Sequence, residues 1–171
     1  MKKLFIVKIG GNVIDDQTAL QKFLTDFSKV RERKILVHGG GKTANELAQK
    51  LGVSQAMVNG RRITDAETLK ITTMVYAGWL NKQIVALLQS NGVNAIGLSG
   101  ADLNVIKTKK RENAEVDFGF VGDIVKDGVN AELIASQIES KITPVFCSVT
   151  HNGNGQLLNT NADTIASALA I

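Results

Sequence analysis

The stretch Val37-His38-Gly39-Gly40-Gly41-Lys42 constrains this chain more than any other. It follows the apolar run Ile35-Leu36-Val37, which reads as a short buried strand, and precedes Thr43-Ala44-Asn45-Glu46-Leu47-Ala48, which reads as the start of a helix. Three consecutive glycines open backbone conformations closed to other residues and let a ligand approach the peptide N–H groups with no Cβ in the way. The helix N-terminus adds unpaired donors and a positive dipole end, so strand, turn and helix together form a candidate anion site.

The preceding residues build a βαβ unit around this turn. A strand over residues 4–9 carries Lys8 and ends at Gly10-Gly11, a helix over 16–31 places Leu20, Phe23, Leu24, Phe27 and Val30 on one face, and a strand over 34–37 follows. Open parallel sheets bind ligands at the carboxyl ends of their strands, where a lysine beside a diglycine is well placed for phosphate. By position alone Lys8 also fits an edge-strand lysine snorkelling to solvent.

Further along, Asn59-Gly60 is a hairpin-turn signal that puts Arg61 and Arg62 on a short two-stranded flap. Thr64-Asp65-Ala66-Glu67 has capping-box spacing and opens the longest helix, with Leu69, Thr73, Tyr76, Leu80, Ile84 and Leu87 as its buried stripe. Gly78-Trp79 interrupts that helix and suggests close packing against another helix, including one from a second subunit. Strands follow over 93–98, 106–108, 118–125 and 142–149, with a helix over 130–139 and a second glycine turn at Ser99-Gly100-Ala101-Asp102. Asn152-Gly153-Asn154-Gly155 is a hairpin turn leading to Asn159-Thr160-Asn161-Ala162-Asp163. An apolar helix then runs into Ala168-Leu169-Ala170-Ile171 with no cap or breaker, which leads us to expect the first lobe of something larger.

Composition narrows the classes. With 171 residues, 44% hydrophobic and 21% charged, the chain suits one globular domain, and no run approaches the roughly 20 apolar residues of a membrane span. Lys8 breaks the N-terminal apolar stretch too early for a signal peptide, so the expected location is cytoplasmic. Cys147, the only cysteine, lies in an apolar run and reads as a packing thiol. The net charge of +4 is concentrated in Lys107-Thr108-Lys109-Lys110-Arg111, expected as the exposed edge of a hairpin; with aromatics at 5%, it reads as a solvated face and not as a nucleic-acid site. His38 and His151 have no evident catalytic partner, and His38 is expected to be a hydrogen-bonded structural residue.

Taken in order, Lys8-Ile9-Gly10-Gly11, His38-Gly39-Gly40-Gly41, Asn59-Gly60-Arg61-Arg62-Ile63-Thr64 and Asn159-Thr160-Asn161-Ala162-Asp163 resemble the amino acid kinase family, in particular its branch acting on N-acetylglutamate in arginine biosynthesis. The resemblance covers essentially the whole chain. It implies an α/β fold, a three-layer αβα sandwich with a central mostly parallel sheet, and phosphoryl transfer from ATP to the side-chain carboxylate of N-acetyl-L-glutamate. Under it Lys8 stabilises charge on the transferring group, Gly10 and Gly11 offer donors to the phosphates, and Gly40 and Gly41 contact the acetylglutamate. Arg62 and Asn159 hold that ligand, Asp163 orients the catalytic lysines, and Asn161 has no assigned role. Magnesium would be held mainly by the nucleotide phosphates, with no metal ligands on the protein.

The same resemblance implies that residues 1–171 form an acetylglutamate-binding N-terminal lobe without the nucleotide-binding lobe, inactive alone. A first strand beginning at Leu4 leaves no N-terminal helix of the kind that arginine-inhibited members carry, which implies a homodimer without feedback inhibition. A γ-carboxylate with a pKa near ~4.3 is already ionised, so such a reaction needs no general base; it needs donors aimed at the transfer oxygens. The alternatives are a kinase of a related acid of the acetylaminoadipate type, a dinucleotide-binding module suggested by the loose pattern at Gly39-Gly40-Gly41-Lys42-Thr43-Ala44, and a non-catalytic binding protein.

Overall fold

Four strands with alternating faces build the centre of the molecule in the computed structural model, which describes residues 3–58, 61–112 and 115–171. In chain order the elements are β1 (Leu4–Ile9), α1 (Gly11–Ile14), α2 (Gln17–Lys29), β2 (Arg33–His38), α3 (Gly41–Lys50), β3 (Met57–Val58), β4 (Arg61–Arg62) and α4 (Ala66–Thr73). A π-helical stretch (Met74–Leu80) joins α4 to α5 (Asn81–Ser90), followed by β5 (Ala95–Leu98), a short turn of 3-10 helix (Asp102–Asn104), β6 (Ile106–Lys110), β7 (Gly122–Val129) and α6 (Ala131–Glu139). β8 (Thr143–Cys147), β9 (Val149–His151), β10 (Leu157–Asn159) and α7 (Ala162–Leu169) complete the chain.

The central sheet has the order β1-β2-β8-β5, and each pair in it is parallel. Leu36, Val145 and Cys147 point to one face, into a core with Leu20, Leu24, Ile71, Val75, Ile84 and Leu88 of the helices from α2 to α5. Ile35, Val37, Phe146 and Leu98 point to the other, against Ile134 of α6 and Ile165 of α7. The period-two pleat therefore delivers both apolar surfaces, and helices cover each one. This is the α/β sandwich with a mostly parallel centre expected from the sequence.

Local chemistry explains where the helices start and stop. The Asp16 carboxylate accepts from the N–H groups of Thr18 and Ala19 and caps α2. Its far end is closed by Lys34, whose Nζ donates to the carbonyls of Phe27 and Val30 at 2.7 Å each. A buried ammonium thus ties the last turn of α2 to the start of β2.

Several expectations change. The long helix is capped by Asp65, which accepts from Thr68 N–H at 2.7 Å, and not by Thr64, because the Thr64 backbone is engaged with Phe118 and Phe120. The π-helical stretch shifts the buried stripe, so Val75, Asn81 and Leu88 are buried along with Tyr76, Leu80 and Ile84, while Thr73 and Leu87 are only partly covered. Trp79 is 64% exposed and a Cβ at Gly78 would meet nothing, so neither packs closely within this chain.

The basic strand is not an edge. β6 lies inside a second sheet of order β10-β9-β6-β7, antiparallel to β7 and parallel to β9, with Thr108 buried and Lys107, Lys109 and Lys110 exposed. The strand expected over 118–125 begins at Gly122, and the preceding residues bridge singly, Gly119 to Thr64 and Val121 to Asn159. The flap exists as β3 paired with β4, but its turn at Asn59-Gly60 lies outside the described residues. α7 closes at Leu169. No helix among the described residues is long and apolar enough to cross a membrane.

Cys147 on β8 is fully buried, and burial pushes its thiol up to about 12. In native protein at mildly alkaline pH it should stay unmodified by a thiol reagent for as long as the fold holds, and react promptly in denaturant; fast native labelling would contradict its placement on a covered strand.

Candidate functional site

Because β1, β2 and β8 are parallel and in register, Ile9 sits beside His38 and His38 beside Cys147. Their carboxyl ends therefore open together onto one cleft of about 490 Å³. Lys8, Gly10, Gly11, Gly40, Gly41, Arg62, Asn159 and Asp163 all line it, so the structure gathers every site residue singled out from sequence.

Lys8 Nζ lies 2.8 Å from Asp163 Oδ1 across the cleft. The side chains are 31% and 68% exposed, so solvent screens the pair and it contributes only about 0–1 kcal/mol to stability. Orientation of the ammonium is its larger consequence. Asp163 is held in the first turn of α7 by Asn161, whose side chain accepts from the N–H groups of Asp163 and Thr164 at 2.8 and 3.2 Å. Asn161 thus has a definite structural task as the cap of that helix. A Cβ at Gly10 would stand 3.6 Å from Lys8 Nζ, and one at Gly11 3.0 Å from the Asp15 carboxylate. A bare backbone cradle therefore borders the ammonium.

The second turn is built differently. Gly40 has φ of 153°, and a Cβ there would overlap Leu80 and touch the Tyr76 ring. The π-helical stretch pushes those two side chains up under the turn. Arg62, on β4, donates from NH2 to the Gly41 carbonyl at 3.1 Å and from NH1 to Gln55 Oε1, so a guanidinium is fixed beside the turn with further donors to spare. Asn159 Nδ2 donates to Thr64 Oγ1 at 3.1 Å, which joins the end of β10 to the segment leading into α4.

Sequence reasoning missed three contributors. Tyr76 was assigned to the core stripe and is largely buried, yet it also lines the cleft beside Arg62; burial raises its phenol above the usual range while Arg62 pulls it back. Ser148 follows β8, and its hydroxyl donates to the His38 carbonyl at 2.9 Å. Arg111 was counted with the solvated basic run, but it lines the cleft and makes a two-toothed pair with Asp123, whose carboxyl it holds below the usual range. Its partner lies on an adjacent strand, which spacing along the chain does not reveal. Among the described residues no group of three or more His, Cys, Asp or Glu side chains could hold a metal ion.

A parallel α/β sheet with two glycine turns, a lysine–aspartate pair and a fixed guanidinium at its strand ends forms a cleft whose charge and bare backbone suit a small anionic ligand. The amino acid kinase family model matches residues 3–171, and the chain belongs to that family. It is 56% identical over 172 residues to the acetylglutamate kinase of Cytophaga hutchinsonii and 56% identical over 169 residues to that of Phocaeicola vulgatus. These alignments cover 100% and 99% of this chain, which spans 64% and 65% of the length of those relatives. A crystal structure of a Streptococcus mutans protein superposes with a TM-score of 0.85 at 25% identity, over 99% of this chain and 68% of the other.

Two outcomes test this geometry. Gly40→Ala should abolish anion binding and destabilise the fold, since both the positive φ and the Leu80 contact oppose a methyl group; unchanged melting and binding would refute the placement of the turn. His38 is buried, and burial pushes its imidazole down to about 4 from 6.5. The unfolded chain therefore takes up a proton between pH 6.5 and 4 that the folded chain refuses, so this group makes stability fall as pH drops through that window, by at most about 1.4 kcal/mol per pH unit. Urea titrations across the window should show this slope, and His38→Gln should remove it.

Proposed function

We propose that this chain forms the acetylglutamate-binding lobe of an acetylglutamate kinase, which transfers the ATP γ-phosphoryl group to the side-chain carboxylate of N-acetyl-L-glutamate in arginine biosynthesis. The observation that carries the reading is the Lys8–Asp163 pair sharing one cleft with the Gly10–Gly11 and Gly39–Gly41 turns. The names of the close relatives support it, this chain spanning about two thirds of their length; on this reading a nucleotide-binding lobe falls in the remainder.

The roles follow from charge. The nucleophile is a carboxylate and the electrophile a polyanion, so the barrier is electrostatic repulsion plus the cost of alignment. Lys8 neutralises charge on the transferring oxygens, and Asp163 holds its ammonium in place. Gly10 and Gly11 offer backbone donors to the phosphates. Gly40 and Gly41 line the acetylglutamate next to the reacting centre, while Arg62 and Asn159 grip it. A planar guanidinium already braced by Gln55 and Gly41 loses little freedom on clasping an α-carboxylate.

The cradle at Gly10 and Gly11, open beside the Lys8 ammonium, fits the phosphate end of ATP. ATP bound with Mg2+ supplies the phosphoryl group, the metal being held mainly by the nucleotide phosphates. We further propose a cytoplasmic homodimer. A kinase of a longer acid of the acetylaminoadipate type uses the same cleft chemistry, and turnover with the two acids compared side by side separates the readings.

In the chain extended to the full length of its relatives, Lys8→Ala should lower kcat by on the order of 100- to 1000-fold with little change in either KM. Arg62→Ala should instead raise the KM for acetylglutamate by on the order of 10- to 100-fold. Calorimetry with acetylglutamate, ATP and NADPH should show binding of the first two only. Small and equal kinetic effects of both substitutions, or NADPH binding alone, would overturn the assignment.

A further inference from the structure

His38 and Asn81 are 0% and 1% exposed, and neither lines the cleft. A buried imidazole facing a buried amide costs free energy unless every donor meets an acceptor. Here the assignment has one solution. His38 Nδ1 lies 2.8 Å from the Gly39 carbonyl, which can only accept, so Nδ1 carries the proton. Nε2 of the neutral ring must then accept, and Asn81 Nδ2 donates to it at 3.1 Å. The second amide hydrogen of Asn81 goes to the Val145 carbonyl at 3.0 Å, and its Oδ1 accepts from Lys82 Nζ at 3.2 Å. Flipping the amide or moving the ring proton breaks at least two of these bonds.

The surrounding backbone makes room for this arrangement. Asn81 follows the π-helical stretch directly, whose register shift also sets Tyr76 and Leu80 beneath Gly40. Gly97 on β5 is the neighbour of Asn81, and any Cβ there would overlap Asn81 Oδ1. A relay of bonds therefore runs from β8 through Asn81 and His38 to the carbonyl of the first glycine in the turn. Ser148 holds the next carbonyl back, that of His38 itself, at 2.9 Å. With one peptide oxygen on each side of Gly39 held, the rotation of the turn is set before any ligand arrives.

We infer that His38 and Asn81 are positioning residues: through the Gly39 carbonyl they set the direction of the Gly40 N–H, which shares its peptide plane, toward the anionic ligand, while the next peptide is held by the Ala44 N–H on the Gly40 carbonyl. This deepens the kinase reading and rests on its use of that turn, but its structural part stands apart from the substrate's identity. Preorganised donors give most of their benefit where charge develops in the transition state, so the pair should affect kcat more than ground-state affinity.

The test compares two replacements that each keep half of the ring's bonding. His38→Asn retains a donor near the Nδ1 position for Gly39, whereas His38→Gln retains a group near Nε2 for Asn81 and leaves the Gly39 carbonyl free. Imidazole 15N spectra of the wild-type chain at neutral pH should show a single neutral ring protonated at Nδ1. The Gly40 amide 1H–15N resonance should keep its wild-type position in His38→Asn and shift in His38→Gln, with similar melting temperatures. In the extended enzyme kcat should follow the same order, with the KM for acetylglutamate moving less. An Nε2-protonated ring, or equal Gly40 amide shifts in the two variants, overturns the positioning role. An extended enzyme that ignores acetylglutamate overturns the kinase reading instead, and the ring and amide spectra still judge the pair.

Discussion

The parallel register of β1, β2 and β8 is the constraint on which the site depends. Parallel hydrogen bonding brings Ile9, His38 and Cys147 level, so three strands release their chains at one height. Each chain then turns away through small or hydroxylated residues, Gly10, Gly39 and Ser148, which keep the opening clear. A slip of one residue in β1 would send Lys8 to the opposite face and leave Asp163 without its partner. The apolar faces guard against such a slip, because Ile35, Val37 and Phe146 belong to one core and Leu36, Val145 and Cys147 to the other.

Energy and function are divided between layers. The stability of the sheet comes from buried aliphatic and aromatic groups; Phe146, wholly enclosed, is the sort of side chain whose loss costs about 3–5 kcal/mol. The charged groups at the cleft add little to that, being partly wet. Their contribution is directional: Asn161 fixes Asp163, Asp163 fixes Lys8, and Gln55 with Gly41 fixes Arg62. A polar site on a rigid sheet loses little entropy when a charged ligand arrives.

The second sheet serves as a brace for the loops above the cleft. Thr108, Thr150 and Thr160 form a buried run of hydroxyls with oxygen separations of 2.9 and 2.7 Å, linking β6 and β9 to the residue that follows Asn159. Gly122 stands against this run, where a Cβ would press on Thr108 and Thr160. The segment carrying Asn159, Asn161 and Asp163 is thereby anchored from below, and Arg111 with Asp123 closes its flank.

Much of this was legible in the chain itself. Apolar runs of period two and helical stripes of period three to four are local properties, so the strand–helix succession, the two glycine turns and Lys8 at a strand end follow from neighbours along the backbone, whereas Arg62, Asn159 and Asp163 were singled out by the family resemblance. Family resemblance added their proposed roles. What tertiary structure alone decided is who meets whom across long separations. Thr64 had the spacing of a cap but was claimed by Phe118 and Phe120, leaving Asp65 to cap α4. The basic strand became an interior strand because β9 adds to it, and Arg111 became a cleft residue because Asp123 lies beside it. His38 found Asn81 only through a π-helical shift that no local propensity announces. Backbone chemistry along a chain sets what each segment can form, whereas pairing between segments is settled by burial and hydrogen-bond satisfaction in the folded whole.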